Sequence, residues 1–370
     1  MLRSSPSQQI NNTGMSVFQN FQTFFKSLTS PKRVPTFVVT LDALGTLYRF
    51  KQPVARQYID LARKSGLKDN VDTDRLNASF KEAFKHYNAA YPNYGKGQLE
   101  SPEEWWTKVI DRAFGQVVDQ NVELPRNLGS LLYRHFAGRD AYELYPDVWP
   151  FFQALRSLKK DFSDPDGPLI ATGVVTNSDP RVSTVLQELG LAVQAKPPER
   201  RIGDALSNAW TDAKLQRLDG LFSYEALAYS RDNDIDFLST SYETDCQKPD
   251  PDAWIEGQKL VHVLPIIRKA VALRDSPSTN VSEYMQKTAQ SAGYRVGELL
   301  WLHIGDEYEK DYVGATEASL DALLLTRETD GDMPHKINTS AAPDIPTISS
   351  LKEATLIINL KARELFQRGS

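Results

Sequence analysis

Four short runs carry side chains that could do chemistry together, each beside an apolar stretch. The first is Phe37-Val38-Val39-Thr40-Leu41-Asp42, which runs a carboxylate into the Gly45-Thr46 turn. The second is Thr176-Asn177, at the end of Leu169–Val175. The third is Gln247-Lys248-Pro249-Asp250-Pro251, and the fourth is Gly305-Asp306-Glu307 with Asp311 following. Taken singly, each has an ordinary explanation as a helix cap, a tight turn or a solvated lysine. Taken in this order, they suit the handling of a phosphoryl group. A carboxylate nucleophile facing an anionic target needs cationic help. Mg²⁺ on hard oxygen ligands would supply it, and Asp42 and Asp306 offer such oxygens. Thr176 and Lys248 would hold the non-bridging oxygens, with Lys248 acting as a point charge. Asp311 falls one helical turn past its strand, where it can orient Lys248.

The elements that must position these groups follow from periodicity. Residues 36–41 read as a buried strand whose start is set by Pro35. From Pro53 to Tyr145 the spacing turns helical: Val54, Tyr58, Leu61 and Ala62; then Phe80, Ala83, Phe84 and Tyr87; then Trp105, Val109, Ile110 and Ala113; then Leu128, Leu131, Leu132 and Phe136. That predicts about four helices inserted after the first strand, with Asn93–Gly97 as a loop. Strand and helix then alternate. A helix is expected over Val148–Lys159, a strand over Leu169–Val175 and a helix over Arg181–Leu189 ending at Gly190. Further strands are expected at Phe237–Thr240, Leu299–Ile304 and Ala322–Thr326. Such alternation predicts an α/β doubly wound parallel sheet, with its ligand site at the carboxyl ends of the strands.

These runs resemble the motifs of the haloacid dehalogenase (HAD) superfamily, in order and spacing, over residues 36–50 and 142–330. The resemblance implies a HAD-like, Rossmann-like core formed by 35–50 and 142–345, with insertions near 192–233 and 265–297. The helical stretch 51–141 stands where that superfamily carries its C1 cap, and 346–370 is left as a C-terminal segment. It implies Asp42 as nucleophile and Thr176 and Lys248 as phosphate ligands. Asp42, Asp306 and the Leu44 backbone carbonyl become Mg²⁺ ligands, and Asn177 and Asp311 are grouped with the cofactor-binding set.

One position departs from that pattern. Where the phosphatases hold a second Asp that protonates the leaving oxygen and later activates water, this chain has Leu44. General acid–base help of that kind is worth roughly 10²–10⁴-fold. The expectation is therefore Mg²⁺-dependent hydrolysis restricted to good leaving groups such as aryl or acyl phosphates. A pseudoenzyme, meaning a non-catalytic HAD-fold binding or assembly protein, is the alternative, and a 2-haloacid dehalogenase-type hydrolase ranks third. Against the last stands the acidic set Asp306, Glu307 and Asp311, because dehalogenases use no metal.

Bulk properties bound the remainder. The 370 residues allow two domains or one large domain with insertions, and the 41% apolar and 25% charged content is that of a soluble globular protein. A net charge of -5 gives no reason to expect nucleic acid as partner. Cys246 is the one cysteine, which excludes an internal disulfide and makes an intracellular setting, cytoplasm or nucleus, the default. No apolar run is long enough to span a membrane. The expected partner is a small phosphorylated molecule or none, with a protein partner reachable through the N-terminal tail or the insertions. Residues 1–41 contain Arg3, Lys26, Lys32 and Arg33 but no acid, with Phe18, Phe21, Phe24, Phe25 and Leu28 at helical spacing. Two readings fit residues 1–34: a tail with one partner-binding helix, or a mitochondrial targeting segment. The five histidines lack metal-ligand spacing, and His303, inside an apolar strand, reads as a core residue. Trp105-Trp106 reads as bundle core, with a water-excluding role if either faces the cleft.

Overall fold

In a computed structural model, residues 33–164, 166–194, 233–255, 295–327 and 345–368 are described, together with scattered positions from 257 to 268. The N-terminal tail with its helical pattern, and most of both insertions, lie outside the described residues.

Eight strands are described. They are β1 (Arg33–Leu41), β2 (Tyr48–Phe50), β3 (Tyr142–Leu144), β4 (Leu169–Thr176), β5 (Phe237–Thr240), β6 (Arg295–Gly305), β7 (Asp321–Leu325) and β8 (Thr347–Ile348). Six of them form one sheet in the order β5-β4-β1-β6-β7-β8, every neighbour parallel. Parallel neighbours need crossovers, and the crossover helices bury both faces of the sheet. The alternation along β1 shows it. Phe37, Val39 and Leu41 enter one core with Val148, Phe151, Phe152 and Leu155 of helix α5 (Val148–Asp161). Val34 and Val38 enter the opposite core with Trp254, Val261 and Trp301.

Strand β1 begins at Arg33, not after Pro35 as the sequence suggests. Its register against β6 shifts between Val34 and Thr36. A proline lacks the donor a regular ladder needs, and a bulge accommodates it without ending the strand. The C-terminal segment also joins the core. Thr347–Ile348 adds the sixth strand, and helix α6 (Leu351–Arg368) lays Leu351, Ala354, Ile358, Ala362 and Leu365 on the α5 side.

Between β2 and β3 lie four helices: α1 (Val54–Lys64), α2 (Thr73–Ala90), α3 (Pro102–Gly115) and α4 (Leu128–His135). Asp72 caps α2 by accepting from the Arg75 N–H, and Ser101 caps α3 by accepting from Glu104. Their apolar faces make a separate core around Trp105, Phe114, Leu76, Ile110 and Leu132. The chain enters and leaves this lobe through the antiparallel pair β2–β3, where Arg49 meets Glu143 at 2.8 Å. Among the described residues no helix is long and apolar enough to cross a membrane.

Candidate active site

Every chemistry-bearing residue picked out in the sequence lies at the carboxyl end of the sheet. β1 ends at Leu41, and the Asp42 N–H donates to the Ile304 carbonyl at 2.9 Å, which holds Asp42 beside the end of β6. The chain then turns tightly. Leu47 N–H donates to Ala43 O at 2.8 Å and Gly45 N–H to Tyr48 O at 2.8 Å. Gly45 has φ +93, and a Cβ there would overlap the Asp306 carboxylate, so only glycine fits. The turn also places the Thr46 hydroxyl, which donates to Asp306 Oδ1 at 2.8 Å.

Lys248 stands at the centre. Its Nζ donates to Asp42 Oδ1 at 2.6 Å and to Asp311 Oδ1 at 2.5 Å, and only 3% of the residue is exposed. Asn177 fixes its backbone from both sides: Asn177 Nδ2 donates to Lys248 O at 2.8 Å, and Lys248 N–H donates to Asn177 Oδ1 at 2.7 Å. Both ends of the Asn177 amide thus engage the loop. That geometry positions Lys248.

Asp311 comes from a short helix of π geometry, Tyr308–Val313, which follows β6 directly. Single turns of this kind recur at functional sites because they redirect one side chain. Besides Lys248, the Asp311 carboxylate accepts from the Glu307 N–H at 2.9 Å and meets His303 Nε2 at 3.3 Å. The histidine's tautomer follows from its neighbours. Trp301 Nε1 donates to Thr40 Oγ1 at 2.9 Å, so the threonine proton is available to His303 Nδ1, 3.0 Å away. The His303 proton is then on Nε2, aimed at Asp311. Burial holds His303 below its ordinary range, in keeping with a neutral ring.

The electrostatics differ among the three carboxylates, whose ligand atoms all lie within 4.8 Å of one another. Burial alone would raise Asp311, but Lys248 and His303 override it and hold the group well below the usual range. Asp42 is raised, by burial first, with Lys248 opposing and Asp311 reinforcing. Asp306 is pushed up to about 8 by burial and by the negative charges of Asp42 and Asp311. Burial works against a charged Lys248, yet Asp311 and Asp42 hold its ammonium above the ordinary range. Thr176, at the end of β4, acts through its side chain to lower Asp42 against the effect of burial.

Leu44 lines a cavity of about 320 Å³ between the sheet and the helical lobe. Aromatic rings of the lobe wall it, among them Tyr58, Phe84, Tyr94 and Trp106. Sequence reading missed this wall, except for the remark that a tryptophan of the pair facing the cleft would exclude water. Trp105 is fully buried in the lobe, whereas Trp106 lines the cavity and donates from Nε1 to Asp179 Oδ2 at 2.7 Å. The lobe meets the core elsewhere too. Tyr94 donates to Asn177 O at 3.4 Å, and Lys96 meets Asp245 at 2.8 Å.

The sheet order, the four strand-end runs and the inserted lobe define an α/β protein of the HAD type. The family profile described as haloacid dehalogenase-like hydrolase matches residues 38–257, and the chain belongs to that family. An uncharacterized protein of Saccharomyces cerevisiae is 33% identical over 176 residues, 44% of this chain and 53% of that protein. The chain thus spans about half the length of this yeast relative. Haloacid dehalogenase-like hydrolase domain-containing protein 3 of Bos taurus is 22% identical over 326 residues, covering 87% of this chain and 94% of the bovine protein. Among solved structures, a HAD-hydrolase from Bacillus subtilis, YfnB, bound to magnesium, is 15% identical with a TM-score of 0.41, over 89% of this chain and 100% of that one.

Proposed function

We propose that the chain is a Mg²⁺-dependent phosphohydrolase acting through Asp42, selective for phosphates whose leaving group departs without a proton. The observation that carries the reading is the buried Lys248 ammonium, 2.6 Å from Asp42 and 2.5 Å from Asp311, on a loop clamped by Asn177. A lysine so placed both orients the Asp42 carboxylate and offers positive charge to a phosphoryl oxygen arriving beside it.

The donor set fits a hard divalent cation. Asp42 and Asp306 would supply carboxylate oxygens, and the Leu44 backbone carbonyl, which the leucine side chain leaves untouched, would supply a third ligand. Asp306, pushed up to about 8 among its acidic neighbours, marks a place where a cation relieves repulsion. When bound, Mg²⁺ would supply neutralisation of the phosphoryl charge.

The remaining chemistry belongs to the chain. An Asp42 oxygen attacks phosphorus, the bond from phosphorus to the leaving oxygen breaks, and that oxygen keeps the electron pair. Thr176 and Lys248 hold the non-bridging oxygens meanwhile. Water then attacks the phosphorus of the aspartyl-phosphate, the bond to Asp42 breaks, and inorganic phosphate leaves. The water proton passes to solvent or to phosphate, since Leu44 offers no base. The helical lobe serves as the cap over this site, and the partner is a small phosphorylated molecule.

The test is steady-state hydrolysis of acetyl phosphate and 4-nitrophenyl phosphate, with and without Mg²⁺, by wild type and Asp42→Asn. Metal-dependent turnover that vanishes in folded Asp42→Asn supports the reading. A second reading, a HAD-fold binding protein without turnover, draws on Leu44, and it gains if folded wild type binds Mg²⁺ and phosphate yet turns nothing over. The three clustered carboxylates speak against a metal-independent dehalogenase.

A further inference from the structure

The cavity beside Leu44 has the chemistry to select what is attached to the phosphate. It borders the nucleophile, because it is lined by Leu44, two positions after Asp42, and by Thr176, whose side chain acts to lower the Asp42 carboxyl. Its walls are rings and aliphatic groups: Tyr48, Tyr58, Phe84, Tyr94, Trp106 and Tyr142 dominate. A volume of about 320 Å³ is roughly twice the ~150 Å³ that accommodates benzene in an engineered cavity.

Among the described residues lining the cavity only Asp179 and Arg181 are charged, and they satisfy each other. Arg181 donates from Nη2 at 2.7 Å and from Nε at 3.0 and 3.1 Å to the Asp179 carboxylate, and from Nη1 to Tyr133 O at 3.3 Å. Two rings pack against it as well, with the guanidinium 4.8 Å from the Trp106 ring centre and 4.3 Å from that of Tyr133. Such an arginine is a structural strut and not a receptor for a second anion. One polar demand in the wall is unmet. The buried Ser178 hydroxyl has no hydrogen-bond partner among the described residues.

We propose that this cavity binds an uncharged aromatic ring attached to the phosphoryl group, so that the substrate class is an aryl or aroyl phosphate without a second negative charge. The proposal rests on the phosphohydrolase reading for the phosphate's place, and it explains how Leu44 fits that reading. Phenolate and carboxylate oxygens leave without a proton, and leucine adds apolar wall where an acid would otherwise stand.

The test uses binding, so that it stands apart from turnover. Calorimetry on the wild-type chain with Mg²⁺ would compare phenylphosphonate, methylphosphonate and 4-carboxyphenylphosphonate. Ring burial predicts phenylphosphonate binding about 10–100-fold tighter than methylphosphonate. It also predicts that the added carboxylate weakens binding, since Arg181 is already committed. Val54→Trp, which fills the cavity from α1, and Trp106→Ala, which opens it, should each cut the ring preference severalfold while inorganic phosphate binding holds. Ring-selective binding without hydrolysis of any aryl phosphate would sink the phosphohydrolase reading and leave the pocket assignment standing. Equal affinities for phenyl and methyl phosphonates, no binding of either, tighter binding of the carboxylated ring, or an unchanged preference in both variants would overturn the proposal.

Discussion

Lys248→Met isolates the electrostatic design of the site. The residue is 3% exposed, and its ammonium touches two carboxylates at 2.6 and 2.5 Å. Methionine keeps most of the stem's volume, so little cavity forms and the loss is chiefly one of charge. Stripping one partner from a buried ion pair costs roughly 3–5 kcal/mol, because an uncompensated charge remains. Here two carboxylates remain, with Asp306 beside them. At roughly 2–4 °C per kcal/mol, that is a fall in Tm of about 6–20 °C for a domain of this size. The pH dependence carries a definite sign. In wild type Asp311 is held below its ordinary value, so its contribution is present above that value and is lost as pH falls. Without Lys248, burial dominates and raises both Asp42 and Asp311. The variant is then least penalised near pH 4 and loses stability as pH rises toward 8. Urea unfolding of both proteins at pH 5 and pH 8 in chelator measures this, and adding Asp311→Asn should return part of the loss. A deficit below about 1 kcal/mol, or one that does not grow with pH, would refute the reasoning.

Three other outcomes are expected. Leu44→Asp restores an acid beside the leaving group and should raise kcat on an alkyl phosphate by roughly 10²–10⁴-fold, with a much smaller gain on 4-nitrophenyl phosphate; parallel gains on both would count against the proton-transfer argument. Asp306 is raised from the ordinary carboxylate range to about 8, so its penalty on the metal-free fold grows as pH rises across that window. Asp306→Asn should therefore stabilise the metal-free chain at pH 8 by a few kcal/mol, much less at pH 4, and abolish the Tm gain given by Mg²⁺. Gly45→Ala forces a side chain at φ +93 into the Asp306 carboxylate and should cost about 1–3 kcal/mol together with weaker Mg²⁺ binding, both readable from thermal melts.

Local signals carried much of this architecture. An apolar run ending in a carboxylate or hydroxyl is legible from neighbours alone, which is how Asp42, Thr176 and Asp306 were found. The helices of the lobe announced themselves through Tyr58, Phe80, Trp105 and Leu132 at helical spacing. Long-range pairings were not legible. Nothing near Asn177 says that its amide will clamp a loop seventy-one positions away. Nothing near Trp106 says that its indole will reach Asp179, or that Arg181 will lie against it. The C-terminal helix is a different case, because Leu351, Ala354, Ile358, Ala362 and Leu365 have core spacing that could have been read. Pro35 misled for a physical reason: its missing N–H ends a regular ladder but not a bulged one.

The central claim is that Asp42 accepts a phosphoryl group. Leu44 would slow both halves of the reaction, but a good leaving group spares the first, so the covalent intermediate should accumulate. Rapid mixing with 4-nitrophenyl phosphate and Mg²⁺, followed by acid quench and peptide mass analysis, tests this directly. The account predicts a burst of nitrophenolate stoichiometric with protein and one phosphoryl group on the peptide carrying Asp42, both absent in Asp42→Asn. Turnover with no burst and an unmodified Asp42 peptide, or equal turnover by Asp42→Asn, would contradict it.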